Sequence, residues 1–208
     1  MRKLKSFAVL LLFAAVTQQV AQAGTPALSF TGGGLLGPLA GTYGWTFTVN
    51  TPVVVDNLGY FDFGGNGLSV AHDVGIWNTS GTLLDSATVP AGTAGSLQDG
   101  FRYTSAPSVL LPIGTYTIGG FDPESADGIT VGATITTDPA ITYGASRSIA
   151  GAALTFPTAD VHGNANSYFG PNFTFVTVPE PATSALLLLG GITAYAVARR
   201  RRSGFGQG

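Results

Sequence analysis

Much of the chain alternates between apolar and polar residues, which is the pattern of β-strands with one buried face. From Tyr43 to Val49, apolar side chains occupy every second position, with glycine or threonine between them. Similar segments cover residues 53–55, 58–63, 70–76, 83–89, 101–104, 115–120, 129–135, 148–156 and 173–178. No long apolar pattern with a helical period runs through this region. The pattern predicts an all-β fold, an antiparallel β-sandwich of about eight to ten strands in jelly-roll or immunoglobulin-like order.

Turn residues divide the pattern into a domain and a leader. Asp56-Asn57 separates two apolar segments, Asn78 to Gly81 predicts a hairpin turn, and residues 90–100 form a polar stretch. Residues 24–42 are rich in glycine and are predicted to be a loose leader. The β-sandwich domain is therefore expected to occupy residues 43–178.

The first 23 residues have the layout of a secretory signal peptide. Basic residues at positions 2, 3 and 5 precede a ten-residue apolar core, Phe7 to Val16. A polar stretch then ends in Ala21-Gln22-Ala23, in which Ala21 and Ala23 are the small residues that a signal peptidase requires. Cleavage is expected between Ala23 and Gly24, and the apolar core is too short to span a membrane stably.

The last 31 residues contain a short motif, an apolar run and an arginine cluster, followed by a tail. The first is the stiff, extended motif Val178-Pro179-Glu180-Pro181, in which two prolines restrict the backbone. An uncharged run of 17 residues follows, Ala182 to Ala198, which as a helix would be about 25 Å long and just able to span a bilayer. The cluster Arg199, Arg200, Arg201 and Arg202 then resists translocation, and residues 203–208 form a tail.

These residues resemble the PEP-CTERM sorting signal of Gram-negative envelope proteins, over the whole stretch from Val178 to Arg202. The resemblance implies that Pro179, Glu180 and Pro181 are recognised by an exosortase, a membrane enzyme that would cleave near the motif and release or re-anchor the protein. The expected partners are then signal peptidase, an exosortase-type sorting enzyme and, before processing, the inner membrane. The alternative is a plain single-pass anchor with a proline-rich stem.

The charges are distributed unevenly. Between Gly24 and Val178 the chain has two arginines, no lysine and ten acidic residues, which gives a net charge of −8. Such a surface repels nucleic acid and suits cations, neutral glycans or solubility alone. The chain has no cysteine, so disulfides, thiol catalysis and thiolate metal sites are excluded.

The sequence carries little catalytic equipment, and we expect no enzyme activity. It has no Gly-x-Ser-x-Gly elbow, no His-Glu-x-x-His motif and no glycine-rich phosphate loop. His72 and Asp73 could act as a base and its orienter, but neighbours on a strand point to opposite faces. His72 shares its face with apolar residues, which favours a packed, hydrogen-bonded histidine.

Two loops could offer oxygen ligands to calcium. One contains Asp122, Glu124 and Asp127, and the other is flanked by Asp62, Asn66 and Asp73. Calcium binds several carboxylate and carbonyl oxygens on flexible loops, but neither loop has the spacing of an EF-hand. We therefore expect no cofactor. Calcium is the one candidate, and the alternative is that both loops are solvated acidic turns.

An exposed aromatic residue could stack on a sugar. Trp77 precedes a predicted turn and is the better of the two tryptophans for this role, although strand aromatics usually belong to a core. Segments between Gly44 and Gly120, such as Leu58 to Asp62 and His72 to Asn78, are also similar to an uncharacterised extracellular β-domain family found with PEP-CTERM signals. That resemblance implies a β-fold and no known activity.

The sequence thus predicts an exported protein of a Gram-negative bacterium, first anchored in the inner membrane and then placed at the cell surface or in a biofilm-like matrix. Its β-domain is expected to be structural or adhesive, with extracellular polysaccharide as a partner. The second reading is a carbohydrate- or calcium-binding module, and the third is an envelope hydrolase.

Overall fold

A computed structural model describes residues 24–124, 127–160 and 167–178. These ranges contain sixteen β-strands and no helix, and every strand pairing within them is antiparallel. The all-β prediction is confirmed, with several antiparallel sheets in an arrangement consistent with a β-sandwich.

Two large sheets form the body of the fold. In the first, five strands lie in the order β1-β16-β5-β9-β8. Their bounds are Thr25–Pro26 (β1), Pro171–Thr177 (β16), Val53–Phe61 (β5), Phe101–Leu111 (β9) and Ser96–Gln98 (β8). In the second, six strands lie in the order β14-β13-β4-β10-β6-β7. Their bounds are Ala159–Asp160 (β14), Ile141–Ala150 (β13), Ala40–Val49 (β4), Gly114–Pro123 (β10), His72–Asn78 (β6) and Leu83–Val89 (β7).

Two small sheets complete the fold. One contains β15 (Ser167–Phe169), β11 (Ile129–Val131) and β3 (Gly34–Leu36), and the other pairs β12 (Thr134–Thr137) with β2 (Leu28–Thr31). The alternation over residues 129–135, predicted as one strand, is therefore divided between two sheets. Gly132 is the cause, because its positive φ of 68° turns the backbone between β11 and β12.

The core fills the space between the inner faces of the two large sheets. Trp45 and Phe47 of β4 are fully buried and meet Phe173 of β16 at ring-centroid distances of 6.1 and 4.8 Å. The indole nitrogen of Trp45 donates a hydrogen bond of 3.0 Å to the carbonyl of Pro171. This partner allows the polar end of the largest core side chain to be buried without an orphaned donor.

Residues 24–42 are part of the fold, so the prediction of a loose leader is wrong. Ala27 and Leu28 are buried, and β1 and β2 pair with β16 and β12. Phe30 packs against three other phenylalanine rings, at centroid distances of 4.8 to 5.7 Å. The alternation of apolar and polar residues from Leu28 to Thr31 is short and is followed by three glycines, so it was not recognised as a strand.

Other strand bounds differ from the prediction in smaller ways. Asp56-Asn57 does not end a strand but lies at a register shift within β5. The predicted short strand at Phe101 extends to Leu111, and the polar stretch before it contains β8. The strand predicted at residues 148–156 lies earlier, as β13, while β7 has the predicted bounds.

Candidate functional site

A groove with a volume of about 310 Å³ lies on the outer face of the six-stranded sheet. Its lining is mostly threonine, with one aromatic ring and one arginine: Thr46, Thr79, Thr115, Thr117, Arg147, Phe156, Pro157 and Thr158. Hydroxyl groups that both donate and accept hydrogen bonds thus line the floor next to apolar walls.

The floor follows directly from strand register. Thr46 of β4 lies opposite Thr117 of β10, and Thr48 lies opposite Thr115. Because directly paired residues share a face, and Trp45 and Phe47 point into the core, all four threonines point outward. The hydroxyl of Thr46 also accepts a hydrogen bond of 2.9 Å from the backbone of Ala145, so its position is fixed.

The chain after β13 forms one wall of the groove and covers Trp77. The backbone of Thr155 donates a 3.0 Å hydrogen bond to the hydroxyl of Thr42, and the ring of Phe156 lies 6.0 Å from that of Trp77. Trp77 is only 4% exposed. The prediction that Trp77 is an exposed stacking residue is therefore wrong, and Phe156 is the aromatic ring that lines the groove.

Arg147 lies at the edge of the groove in an ion pair. Its Nη1 atom is 3.2 Å from a carboxylate oxygen of Asp160, which neighbours it through the pairing of β13 and β14. Both side chains are partly exposed, so water screens the pair and its contribution to stability is small.

The other arginine of the domain forms a buried ion pair. The Nε atom of Arg102 lies 2.8 Å from Asp62, and its Nη atoms donate to the carbonyls of Gly95 and Gly65. Asp62 also accepts from the backbone nitrogen of Gly67, at 2.9 and 3.1 Å. The pair therefore fixes the loop after β5, which was one of the two candidate calcium loops.

His72 belongs to a second buried polar network. Its Nδ1 lies 3.0 Å from the carbonyl oxygen of Phe121, and its Nε2 lies 2.8 Å from Asp127. Both partners are acceptors, so both bonds form together when the imidazole carries a proton on each nitrogen. The ring is fully buried and stacks on Tyr60 at 3.7 Å, which confirms the packed histidine.

Ionisation in this network follows from burial and from hydrogen bonds. Burial raises the pKa of Asp127, but hydrogen bonds from His72 and from Ser69 outweigh it, and the pKa of this carboxyl lies below its ordinary value. Burial raises the pKa of Tyr60 well above its ordinary range, and the negative charges of Asp122 and Asp127 raise it further. The network therefore retains a neutral phenol beside a charged carboxylate.

The residues proposed as possible calcium ligands have different surroundings and different hydrogen-bond partners. Asp62 is paired with Arg102, Asp127 with His72, and Asp73 accepts a 2.6 Å hydrogen bond from Thr88. Asn66 and Glu124 are exposed, and Asp122 is fully buried. Across residues 24–124, 127–160 and 167–178, no three His, Cys, Asp or Glu side chains are grouped so that they could hold a metal ion.

We expect calcium to leave the melting temperature of the domain (residues 24–178) unchanged. An ion that binds the folded state selectively must raise the melting temperature, and here Asp62 is already paired with Arg102 and Asp127 is hydrogen-bonded to His72. The measurement is thermal unfolding in millimolar calcium against chelator, with magnesium as the control for ionic strength. A rise of several degrees with calcium alone would contradict the expectation.

The chain leaves the first large sheet at the end of β16. The backbone nitrogen of Val178 donates a hydrogen bond of 2.9 Å to the carbonyl of Pro52, which fixes the last described residue against the fold. Residues 177–202, which begin at this point, match the family model of the PEP-CTERM protein-sorting motif. The chain carries a PEP-CTERM sorting signal. The signal implies processing by an exosortase-type enzyme and export, through membrane-associated sorting, to the cell surface.

Most residues of the PEP-CTERM signal lie outside the described residues. This holds for Pro179, Glu180 and Pro181, for the apolar run to Ala198, and for Arg199 to Arg202. Ala21 and Ala23 of the predicted signal peptide also lie outside them, whereas Gly24 and Val178 are described. In the part of the chain that the structure describes, no helix is long and apolar enough to cross a membrane.

Beyond its PEP-CTERM signal, the chain matches no curated protein and no solved structure. Sequence reasoning identified the signal but missed the groove. The available clue was the threonine at alternate positions of two strands, Thr46 and Thr48 in one and Thr115 and Thr117 in the other. Their pairing across the sheet, and the position of Phe156 above it, depend on the tertiary fold.

Proposed function

We propose that the β-sheet domain is a non-enzymatic adhesive component of an extracellular polysaccharide matrix, and that the outer-face groove binds the polysaccharide. Export and sorting by the PEP-CTERM signal bring the domain to the cell surface, where such a polymer is the abundant partner. The single observation that supports the proposal is the composition of the groove: threonine side chains along its floor, with Phe156 beside them.

The chemistry of the lining fits a sugar chain. A threonine hydroxyl donates one hydrogen bond and accepts others, so a row of them matches the hydroxyl groups of a sugar without requiring charge. The ring of Phe156 offers an apolar face for the C–H face of a pyranose. The net charge of −8 between Gly24 and Val178 favours a neutral polymer over a strongly anionic one.

The ionisable groups in the core are engaged in structural contacts, which supports the proposal that the domain is not an enzyme. The imidazole of His72 is fully buried between Tyr60 and the carbonyl of Phe121, out of reach of a substrate. Asp62 and Asp127, both buried, are occupied by Arg102 and His72. A hydrolase would need a paired acid and base in an accessible cleft.

The maturation pathway is proposed as follows. Signal peptidase cleaves after Ala23, and the apolar run from Ala182 to Ala198 then anchors the exported chain in the inner membrane. The arginines that follow this run remain in the cytoplasm, since positive charges resist translocation. The sorting enzyme cuts near Pro181 and places the domain at the cell surface or in the matrix.

The Phe156→Ala variant tests the role of the groove. We expect roughly a fivefold loss of affinity for the matrix polysaccharide, because one lost stacking contact is worth about 1 kcal/mol and about 1.4 kcal/mol corresponds to a factor of ten. The measurement is co-sedimentation of the domain with polysaccharide purified from the native host, at several concentrations.

Phe63→Ala is the matched control, because Phe63 is also an accessible phenylalanine but does not line the groove. The control should bind like the unmodified domain. Circular dichroism should show the same fold for both variants, since Phe156 also covers Trp77. Equal binding by all three proteins would contradict the groove as the binding site, and no binding by any of them would contradict the adhesive role.

A further inference from the structure

One end of the fold exposes apolar side chains where a soluble turn would normally be polar. The turn between β9 and β10 contains Pro112 and Ile113, both exposed, and Ile113 is 67% exposed. Leu110, two residues before the turn, is 55% exposed. Large apolar residues grouped at one exposed end indicate a contact surface, because scattered single ones would need no explanation.

A row of apolar side chains continues this surface across the five-stranded sheet. Val176 lies opposite Val54, and Val54 lies opposite Leu110, so all three share one face. That face is the outer one, because Val53 and Val55 are buried in the core. We call this surface the apolar end, formed by Val54, Leu110, Pro112, Ile113 and Val176.

The PEP-CTERM signal leaves the fold at the apolar end. β9 and β16 both pair antiparallel with β5 and therefore run in the same direction. Both finish opposite the first residue of β5, since Leu111 and Thr177 are each paired with Val53. The turn with Ile113 and the start of the sorting signal thus point the same way, about 10 Å apart across two strand spacings.

The chain between the fold and its apolar run is short. Val178 is fixed to Pro52 by its backbone hydrogen bond, and the uncharged run begins at Ala182, four residues later. Four residues span at most about 14 Å when fully extended. A domain attached through this run is therefore held within about 14 Å of the start of the run, which is about twice the thickness of one lipid headgroup layer.

The apolar end is also poor in charge. The described segments that meet there, residues 49–56, 109–116, 138–142 and 174–178, contain two charged residues, Asp56 and Asp138, and the sorting motif adds Glu180. Asp56 accepts a hydrogen bond from the hydroxyl of Thr174, and Asp138 accepts one of 2.8 Å from the backbone of Ala140. No lysine or arginine lies in these segments to attract anionic headgroups, so their contact with a membrane would be made by apolar side chains.

We propose that the apolar end rests on the outer surface of the lipid bilayer during the anchored stage, with Ile113 and Leu110 inserted between the headgroups. Two aliphatic side chains would bind a membrane weakly on their own. Here the short tether makes the contact intramolecular, so a weak interaction is sufficient. The contact would hold the sorting motif at the membrane surface, where a membrane-bound sorting enzyme acts.

The proposal rests on the membrane stage of the proposed function and is independent of the adhesive role. Its test uses the chain from Gly24 to Gly208, without the signal peptide, reconstituted in phosphatidylethanolamine vesicles with a minority of phosphatidylglycerol. The chain has no cysteine, so Ile113→Cys can carry a single environment-sensitive dye. Phe63→Cys is the matched control, since Phe63 is 56% exposed and lies just after β5, whose far end is about 27 Å from Val53.

We expect the dye at position 113 to be quenched by headgroup-labelled lipid and at least about twofold protected from aqueous iodide, because headgroups shield an inserted probe. The dye at position 63 should remain open to iodide. If the chain floats with the vesicles but both dyes stay in water, the docking is wrong and the membrane stage stands. If the chain does not float, the membrane stage fails and the docking fails with it.

Two further outcomes would also overturn the proposal. Equal protection at positions 113 and 63 would mean general adsorption of the domain to lipid. Protection at position 113 that appears only after the sorting enzyme is added would mean that the apolar end contacts the enzyme and not the bilayer.

Discussion

Replacing Arg102 with leucine is expected to lower the free energy of unfolding of the domain by roughly 3–5 kcal/mol. Arg102 and Asp62 are both buried, with 2.8 Å between Nε and the carboxylate. Removing the arginine leaves a buried charge that still accepts hydrogen bonds from the backbone of Gly67 but has lost its cation. The carbonyls of Gly65 and Gly95 also lose their donor. Urea unfolding of residues 24–178 measures the effect.

Arg147→Leu is the matched control for this experiment. Arg147 also forms an ion pair, with Asp160 at 3.2 Å, but both side chains are partly exposed. Such a pair contributes at most about 1 kcal/mol, so the control should lose little stability. Adding Asp62→Asn to the Arg102→Leu variant should recover part of the loss, because the unpaired buried charge is removed. Similar losses in both single variants would contradict the assignment of a structural role to the buried pair.

The strand pattern could be predicted because it is local. In β4, apolar residues at alternate positions predicted which face is buried, and Trp45, Phe47 and Val49 are all fully buried. The hairpin of β6 and β7 was predicted from the turn residues between them, and β7 has the expected bounds. In such segments the side-chain period and the turn chemistry give the same answer.

The errors arose where distant segments decide the outcome. Trp77 lies on the outward face of β6, and the pattern alone predicts that this face is open to solvent. The chain near Phe156, almost 80 residues later, covers it. Residues 24–42 were predicted to be loose because glycine is frequent there, yet β2 gains its partner from β12, over 100 residues away.

The sorting signal could be predicted from the sequence, whereas the groove and the buried ion pair could not. The sorting signal is one continuous segment, so its order of motif, apolar run and arginine cluster can be read from the sequence, and residues 177–202 match the family model. The groove is assembled from β4, β10, β13 and the chain around Phe156. Arg102 lies 40 residues after Asp62 in the chain, so the sequence alone could not show that this candidate calcium ligand forms an ion pair.

Replacing Pro179, Glu180 and Pro181 together with alanine is expected to abolish maturation almost completely. Proline restricts the backbone and favours extended geometry in the residue before it, which suits binding in the groove of a processing enzyme, and Glu180 is the charged residue between the two prolines. The unmodified protein should give a product that begins at Gly24 and ends near Pro181. The variant should accumulate in the membrane fraction as a chain that begins at Gly24 and extends to Gly208.

Intact-mass spectrometry of membrane and released fractions from the native host makes this measurement. Pro123→Ala combined with Glu124→Ala is the matched control, because it removes an exposed Pro-Glu dipeptide at the end of β10, outside the signal. The control should mature normally. Cleavage of the motif variant at the unchanged site would contradict recognition of these three residues. An unmodified protein that itself extends to Gly208 would be a permanent membrane protein, and the matrix role would lose its support. In that case the proposed contact of Ile113 with lipid would be permanent.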